Sequence, residues 1–280
     1  LFNDSALVTH IDYKDKETQM VPYTDCVALS NGWVYNIPMW NNIGTGYVYS
    51  SKYINECEAE LEFREYLNDQ DCQLMPIKIK HGRHDVAWTK NVVGIGLSYG
   101  FLEPLESTGL MTTHENLILL SDALSQRHGK VTKHDRDVFN HLTEKIIESM
   151  KNFVAQHYTL SSRDDTQYWR DCTETVEYGG YIPGMNEASL VALNDYRNLL
   201  DSIEMKTWET ENMGEGTIYI TAGMGIKPIS KAFFDEKRLD VEKEAVKDSH
   251  KAYQKDKEIM LDWVSKQPSH YEYLKEHIYV

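Results

Sequence analysis

One segment, residues 88 to 110, constrains the fold of this chain more than any other. A short apolar run bounded by glycines, Asn91 to Leu97, predicts a buried strand that enters a turn rich in Gly, Pro, Ser and Thr, with a helix after it. Such a turn presents free backbone N–H groups, and the helix dipole reinforces them. The Ser107–Thr108–Gly109 corner is therefore a predicted site for an anion or an electron-rich ring edge, and Gly109 allows close approach of the backbone.

The glycines of this segment match a nucleotide-binding loop only in part. Gly94, Gly96 and Gly100 form G-x-G-x-x-x-G, which is one residue longer than the dinucleotide fingerprint, and no conforming G-x-G-x-x-G occurs in the chain. A tight strand-to-helix connection without a ligand explains this spacing equally well.

Two glutamates, Glu103 and Glu106, flank Pro104 in the turn. A carboxylate in an apolar neighbourhood has a raised proton affinity, which suits general acid–base chemistry. For an arbitrary glutamate a solvated surface position is the simpler reading. The surrounding sequence FLEPLESTG is apolar and restricted by its turn, so it favours the functional interpretation here.

The first 50 residues alternate apolar and polar positions and predict a twisted antiparallel sheet. Its clearest strands are expected near Cys26 to Leu29 and Trp33 to Ile37, separated by the turn signal Ser30-Asn31-Gly32. The stretch Leu74 to Lys80 alternates again and predicts a further strand.

Helices are predicted in four places. A capping Asn before a Glu-rich first turn predicts a helix over about Asn55 to Leu67, and a single apolar stripe predicts another over about Asp135 to His157. The composition beyond Ser161 is mainly helical, most clearly over Glu187 to Met205 and Ala232 to Val264. The predicted fold class is therefore α+β.

Charge and composition exclude several classes of function. A net charge of −15 opposes binding to nucleic acid and to anionic membranes, and no window of 18 uncharged apolar residues could span a bilayer. Small molecules are the better candidate ligands. No Cys/His spacing fits a metal site, and no leader is evident, so a reducing cytoplasmic setting is expected. We expect small core positions for the cysteines, Cys26, Cys57, Cys72 and Cys172.

Several motifs, in the correct order, resemble those of the flavin-dependent tryptophan halogenases. The family signature GFLEPLESTG stands at residues 100 to 109. Matches to the family patterns W-x-W-x-I-P, GxGYVYSS, HYxLxxRxDxxFWR and AGxG stand at Gly32 to Pro38, Gly44 to Ser51, His157 to Arg170 and Ala222 to Gly225. Ordered matches over about 200 residues are hard to obtain by chance.

This resemblance implies part of a flavin monooxygenase-like fold of the FAD-binding, glutathione-reductase type. Residues 1–160 would form the flavin and substrate core with the halide corner, and residues 161–280 a helical C-terminal subdomain. The family's glycine-rich nucleotide loop and catalytic lysine precede the region that this chain matches. Because the chain opens on Leu1 and runs directly into strand-like sequence, we expect a preceding segment.

The resemblance also implies a chemistry. Reduced FAD from a separate flavin reductase, with dioxygen and a halide, yields hypohalous acid, which passes through a tunnel to halogenate a small aromatic substrate. Glu106 would be the catalytic glutamate, with a halide held at the Thr108 and Gly109 amides beside Ser107. The flavin would be lined by Pro104, Thr108, Gly109 and Leu110. A homodimer is possible for such a protein.

Departures from the family pattern keep two alternatives open. In the motif formed by Trp33, Tyr35, Ile37 and Pro38, Tyr35 replaces the second Trp, and Asn42 replaces a usual Arg. Simple core burial explains Trp33 as well as a functional role does. A flavin monooxygenase, or a non-catalytic relative that binds an aromatic ligand or a partner protein, therefore remains an alternative to the halogenase.

The substrate side diverges too. The family's Phe-Trp clamp shortly before the AGxG element is replaced by Glu211 and Asn212, which leaves Trp208 and Met213 as the nearest apolar candidates for substrate binding. Stacking on Trp208 would contribute about 1 kcal/mol beyond burial. An indole other than free tryptophan, a phenol or another electron-rich ring is then as good a candidate.

Overall fold

The computed structural model describes residues 1–126, 129–175, 220, 223–224, 251 and 253–279. Five strands form one sheet in the order β2-β3-β4-β1-β5, in which β1 and β5 are antiparallel. The strands are β1 (Ser5–Ile11), β2 (Asp25–Leu29), β3 (Gly32–Pro38), β4 (Ile43–Tyr49) and β5 (Met75–Lys78). The predicted strands at the start of the chain and near residue 75 are thereby confirmed.

Strands β3 and β4 are antiparallel. Ser50 N donates to Asn31 O at one end (3.2 Å), and Met39 N donates to Asn42 O at the other (2.9 Å). The short loop between them contains Asn42, so this departure from the family pattern lies in a sheet connection.

Among the described residues, longer helices follow or flank the sheet, in addition to a short helix α1 (Lys16–Gln19). Asn55 caps the first of them through a complete capping box with Glu58, which confirms the predicted helix start. The apolar stripe predicted near residues 135 to 157 lies on the longest helix, which buries Phe139, Ile146, Ile147, Met150 and Val154. The helices are α2 (Glu56–Leu67), α3 (Thr108–Gln126), α4 (Lys133–Thr159) and α5 (Gln167–Thr175), and a last helix α6 covers His270–His277.

The prediction of a buried strand over Asn91 to Leu97 is wrong. The chain forms a small antiparallel ladder between β6 and β9 (Gly82–Arg83 with Gly100–Phe101) and another between β7 and β8 (Trp88–Thr89 with Val92–Val93). Val92 is 66% exposed and Leu97 is 79% exposed. Gly96 has a positive φ of 60° and begins a 3₁₀ turn, which interrupts the strand after two residues.

Three apolar clusters form the core. One joins the sheet to the end of α4 and to α5, and includes Trp33, Leu105, Tyr158, Tyr168 and Trp169. A second packs α4 beneath the β7–β8 ladder. A third lies between α2 and the sheet around Tyr47 and Phe63. The first cluster matters most for function, because Leu105 is part of the turn that precedes α3.

Contacts divide the chain into two compact units. The first contains Leu1–Thr9, Cys26–Tyr35 and Gly46–Lys227, and the second contains His10–Asp25, Asn36–Thr45 and Pro228–Val280. In the second unit Trp40 stacks on Tyr279 with ring centroids 4.2 Å apart.

Cysteine positions differ from the expectation of core packing. Only Cys172 is buried; Cys72 is half-buried, and Cys26 and Cys57 are exposed. Cys26 lies on β2, an outer strand of the sheet order, and Cys57 lies in the first turn of α2, so neither is covered by a second layer. No helix in the described part of the chain is long and apolar enough to cross a membrane.

Candidate active site

The predicted corner lies where a 3₁₀ turn, Leu105–Ser107, meets the start of α3 at Thr108. Glu106 (φ 59°, ψ 16°) and Ser107 (φ 54°) both adopt left-handed backbone conformations. For residues with a side chain this conformation costs on the order of 1–2 kcal/mol each. Two successive strained residues persist only where surrounding contacts hold them, and such residues are typical of functional sites.

The backbone at this corner combines left- and right-handed residues, an arrangement that occurs in anion-binding concavities. Left-handed Ser107 is followed at once by right-handed Thr108 (φ −54°, ψ −30°). The Ser107 amide donates to the Pro104 carbonyl (3.1 Å). The next amides, Thr108 and Gly109, belong to the first turn of α3, where N–H groups have no acceptor within the helix.

The side chain of Thr108 stabilises the bend from inside. Thr108 is 2% exposed, and its hydroxyl donates to the carbonyls of Glu103 (3.3 Å) and Leu105 (3.4 Å). The hydroxyl is therefore occupied by the chain itself, and an external anion at this corner would meet backbone amides.

Glu106 lies at the edge of an open cavity and contacts one histidine. Its side chain is 45% exposed, and its Oε1 is 3.2 Å from Nε2 of His157 near the end of α4. The hydrogen bond from His157 lowers the pKa of Glu106 against the opposing effect of partial burial. The expectation of a raised proton affinity is wrong for Glu106, because this partner stabilises the carboxylate.

Glu103, three residues earlier, is fully enclosed. Tyr158 donates to its Oε1, and Asn3 Nδ2 donates to its Oε2 (3.2 Å). Asn3 in turn accepts from the Tyr168 hydroxyl (3.0 Å). Burial raises the pKa of Glu103 to about 7, so the expected raised proton affinity holds at Glu103. Since its carboxyl faces the interior, Glu103 anchors the bend.

A cavity of about 580 Å³ opens beside the corner. Leu110, assigned from the family to the flavin side, lies on its wall and is 69% exposed, and Pro104 is also exposed. His114 and Glu115 on α3 add ionisable groups to a largely aliphatic wall. The lining residues are Glu106, Ser107, Leu110, Met111, His114, Glu115 and Ile118.

Of the four motif residues on β3, Trp33 and Tyr35 make packing contacts with neighbouring elements. Trp33 is 5% exposed and packs in the same cluster as Leu105, while its indole N–H finds no acceptor among the described residues. The Tyr35 ring covers Gly46 on β4. Ile37 is exposed and Pro38 is half-buried at the end of the strand. Trp33 is thus the motif residue that supports the turn before Glu106.

Several predicted residues lie outside the described part of the chain. They are the substrate candidates Trp208 and Met213, the clamp replacements Glu211 and Asn212, and Ala222 and Gly225 of the AGxG match. The predicted helix over Glu187 to Met205 lies there as well. Of the helix predicted over Ala232 to Val264, residues 253–264 are described and are helical, and most of the rest lies outside the described residues. Among the described residues, no cluster of His, Cys, Asp or Glu could hold a metal ion.

Sequence reasoning did not assign a role to His157, Tyr158 or Asn3. His157 and Tyr158 open the motif that matches HYxLxxRxDxxFWR, so they marked the family without being connected to the glutamates. The connection runs over 51 residues from Glu106 and 55 from Glu103, which local pattern does not reveal. Adjacent residues of α4 thus contact the two glutamates of the turn.

Comparison with known proteins gives consistent matches. The family model described as tryptophan halogenase matches residues 1–229. Tryptophan 7-halogenase RebH of Lentzea aerocolonigenes is 37% identical over 172 residues, which is 61% of this chain and 32% of RebH. Among solved structures, apo VirX1 is 42% identical to this chain with a TM-score of 0.78. The match covers 99% of this chain and 53% of VirX1.

A third similar protein is BrvH, a flavin-dependent halogenase from Brevundimonas sp. BAL3, with a TM-score of 0.73 and 26% identity over 99% of this chain and 52% of BrvH. This chain therefore spans about a third of the length of RebH and about half the length of VirX1 and BrvH.

Proposed function

The chain belongs to the tryptophan halogenase family, and on that premise we propose that the protein carrying it is a flavin-dependent halogenase. It would use reduced FAD, dioxygen and a halide to place a halogen on an electron-rich aromatic ring. The observation that carries this proposal is the corner itself, where Glu106 faces an open cavity beside the backbone amides that begin α3.

The corner suits a halide. A halide is a small anion without hydrogen-bond donors, so it needs N–H groups that the chain has not used itself. The amides of Thr108 and Gly109 fit this need at the positive end of a helix of 19 residues. Ser107 supports the arrangement through its left-handed backbone, which directs the following amides.

The residues beside the corner also suit FAD. A flavin ring has an apolar face, and exposed Pro104 and Leu110 offer an apolar surface next to the Thr108 and Gly109 backbone. When bound and reduced, the flavin with dioxygen would supply the oxidising equivalent that converts halide to hypohalous acid. The chain's own task at this end is to hold the halide in place.

Glu106 is proposed as the catalytic residue at the other end of this chemistry. Halogenation of an arene replaces a C–H bond with a carbon–halogen bond, so the ring carbon must release a proton. An ionised carboxylate can accept that proton or orient the electrophile. The lowered pKa of Glu106, caused first by its hydrogen bond with His157, keeps the carboxylate ionised near neutral pH.

The proposed substrate is an indole, a phenol or another electron-rich ring. RebH is named as a tryptophan 7-halogenase, and the aliphatic cavity wall beside Glu106 is compatible with an aromatic ring. Trp208 and Met213 remain proposed contacts of that ring. A separate flavin reductase, a homodimer and a reducing cytoplasmic setting complete the proposal.

The experiment is an assay of the natural protein that carries residues 1–280. It would be incubated with a flavin reductase, FAD, NADH, dioxygen and bromide or chloride, together with a panel of indoles and phenols, and products would be identified by mass spectrometry. We expect a halogenated product and a loss of at least about 100-fold in Glu106→Gln, because the neutral amide cannot accept the ring proton.

The control is Glu65→Gln, an exposed glutamate on α2, which should retain wild-type turnover. Products that carry oxygen and need no halide would instead identify a monooxygenase. Absence of flavin binding would support a non-catalytic binder. Wild-type turnover in Glu106→Gln would remove Glu106 from the reaction.

A further inference from the structure

The His157 ring is held in one orientation by contacts other than the one with Glu106. Its Nδ1 is 3.0 Å from the Phe153 carbonyl one helical turn earlier, and its ring lies edge-on to the Phe153 ring with centroids 5.2 Å apart. The side chain is only 13% exposed. These contacts leave Nε2 directed at Glu106.

The two contacts of the ring define where its protons are. A backbone carbonyl can only accept, so Nδ1 must carry a proton. If Nε2 carried none, its lone pair would face a carboxylate oxygen at 3.2 Å, and two acceptors would repel each other. In this geometry a proton therefore lies between Nε2 and Glu106 Oε1.

The other ionisable groups around Glu106 do not duplicate this contact. His114 and Glu115 share the cavity wall with Glu106 and belong to α3. Glu103 lies on the same turn but is buried and bonded to Tyr158 and Asn3. Among the hydrogen bonds of the described residues, His157 is the partner that contacts the Glu106 carboxylate.

We propose that His157 is a positioning residue for Glu106: the His157 ring, anchored on the Phe153 carbonyl, holds the Glu106 carboxylate at the cavity edge. This inference rests on the proposed role of Glu106 in halogenation. The strained backbone at Glu106 makes such a tether useful, because a left-handed residue at a surface turn can otherwise relax. The neighbouring Tyr158–Glu103 pair keeps the end of α4 against the same turn.

The first test measures Glu106 directly and needs no turnover. The natural protein that carries this chain is labelled with ¹³C at the glutamate carboxyl carbons, and the Glu106 signal is identified by its loss in Glu106→Gln. We expect the titration midpoint of Glu106 to move to higher pH in both His157→Gln and His157→Asn. It should stay unchanged in His141→Gln, which makes the same change at an exposed position of α4. Midpoints equal to wild type in the folded His157 variants would overturn the proposal.

A second measurement uses the natural protein with His157 intact, so it is independent of how the His157 variants fold. ¹⁵N spectra of histidine distinguish the protonation of the two ring nitrogens. We expect His157 Nδ1 to be protonated throughout the range in which Glu106 titrates, and the Nε2 signal to change in Glu106→Gln. An unprotonated Nδ1, or an Nε2 signal indifferent to Glu106→Gln, would contradict the pairing.

Turnover gives the functional readout in the natural protein. In His157→Gln the acid limb of the pH–rate profile should move to higher pH while the KM for the aromatic substrate stays the same. A merely structural role would instead lower kcat at every pH. If no variant and no wild-type sample halogenates, the proposed function fails, whereas the NMR results still decide the His157–Glu106 pairing.

Discussion

Two glutamates three positions apart in one turn have opposite electrostatic surroundings. Glu103 faces the interior and has a pKa raised to about 7 by burial, whereas Glu106 faces the cavity and has a pKa lowered by its hydrogen bond with His157. The left-handed residues at 106 and 107 separate these environments, because they reverse the direction of the chain directly after Leu105. Such divergence of neighbouring acids is a common feature of sites that handle protons.

Glu103 gives a prediction about pH-dependent stability. Its folded-state pKa of about 7 exceeds its ordinary value of 4.5. The folded chain therefore keeps a proton on Glu103 at pH values above 4.5, where the unfolded chain has released it. The stabilisation of the folded state by protonated Glu103 is present in full below pH 4.5 and is lost as pH rises through about 7. We expect this stabilisation to reach on the order of 3 kcal/mol. Urea titrations from pH 4.5 to 8 would show the decline in wild type and a flatter profile in Glu103→Gln.

A matched control for this prediction is Glu65→Gln, at an exposed position of α2, which should keep the wild-type pH profile. Glu103→Ala should be destabilised by about 2–4 kcal/mol at low pH, since it leaves a cavity and removes the acceptor of the Tyr158 hydroxyl and one of the two acceptors of Asn3 Nδ2. An identical pH profile in wild type and Glu103→Gln would show that folding does not raise the pKa of Glu103.

At this scale, sequence reasoning singled out one turn as the candidate site but did not find the partners of its residues. The motif around Glu106 pointed to the corner and to the amides of Thr108 and Gly109, whose role as a halide site stays a prediction. It could not identify His157, because the contact depends on the packing of α4 against a turn 51 residues earlier. For the same reason, the apolar letters of FLEPLESTG described the surroundings of Glu103 correctly and those of Glu106 incorrectly.

Elements with strong local signals could be predicted, and those that depend on neighbouring chain could not. The capping Asn55 and the stripe of α4 are local, and both helices form where their patterns place them. The run from Asn91 to Leu97 has a strand's composition, but Gly96 turns the backbone, and Ser98 closes the turn by bonding to Ile95. An apolar run does not remain a strand without a longer partner to pair with.

The β3–β4 pair gives a prediction about packing. A Cβ atom at Gly46 would lie 2.5 Å from the hydroxyl oxygen and 2.8 Å from Cε1 of Tyr35. We therefore expect Gly46→Ala to lower the free energy of unfolding by about 2 kcal/mol, as overpacking does. Because the collision is with a side chain, Tyr35→Ala in the same chain should relieve it, so the double variant should be more stable than the two single losses predict. Urea denaturation of the four proteins measures this coupling.

Gly44→Ala is the matched control on the same strand. The atom nearest to its added Cβ is the terminal methyl group of Met39, at 3.1 Å, which can move at little cost. Its loss of stability should therefore be clearly smaller than that of Gly46→Ala. Strict additivity in the Gly46–Tyr35 cycle would mean that the ring of Tyr35 does not cover Gly46 in solution.

At the scale of the whole molecule, charge and composition directed the search to small ligands but did not define the units. The second unit collects three separate stretches of chain, including Pro228–Val280 with His10–Asp25. A local sequence pattern cannot predict that segments more than 200 residues apart belong to one compact unit. The boundary predicted near residue 160 stays a prediction, because most of the chain beyond Thr175 lies outside the described residues.

The second unit is held partly by aromatic contacts that involve the C-terminal segment. Trp40 stacks on Tyr279 with nearly parallel rings whose centroids are 4.2 Å apart. Tyr271 of α6 also stacks on Trp40, with centroids 5.9 Å apart. The Lys16 ammonium lies 3.7 Å from the Trp40 ring centroid. Each aromatic pair contributes about 0.5–1.5 kcal/mol beyond burial, and the cation–π contact about as much. These contacts join α1, the β3–β4 loop and α6 within one unit.

Removing one ring should therefore loosen the unit without unfolding the chain. In Tyr279→Ala we expect faster hydrogen exchange at residues 10–25 and 36–45, measured by mass spectrometry, with wild-type exchange at α4 in the first unit. Tyr253→Ala, which removes a ring that is 59% exposed, should leave both regions unchanged. Exchange in Tyr279→Ala that matches wild type would mean that Tyr271 and Lys16 hold Trp40 without the terminal ring. Faster exchange at α4 as well would mean that the two units open together, because a local loss can spread only through shared cooperative structure.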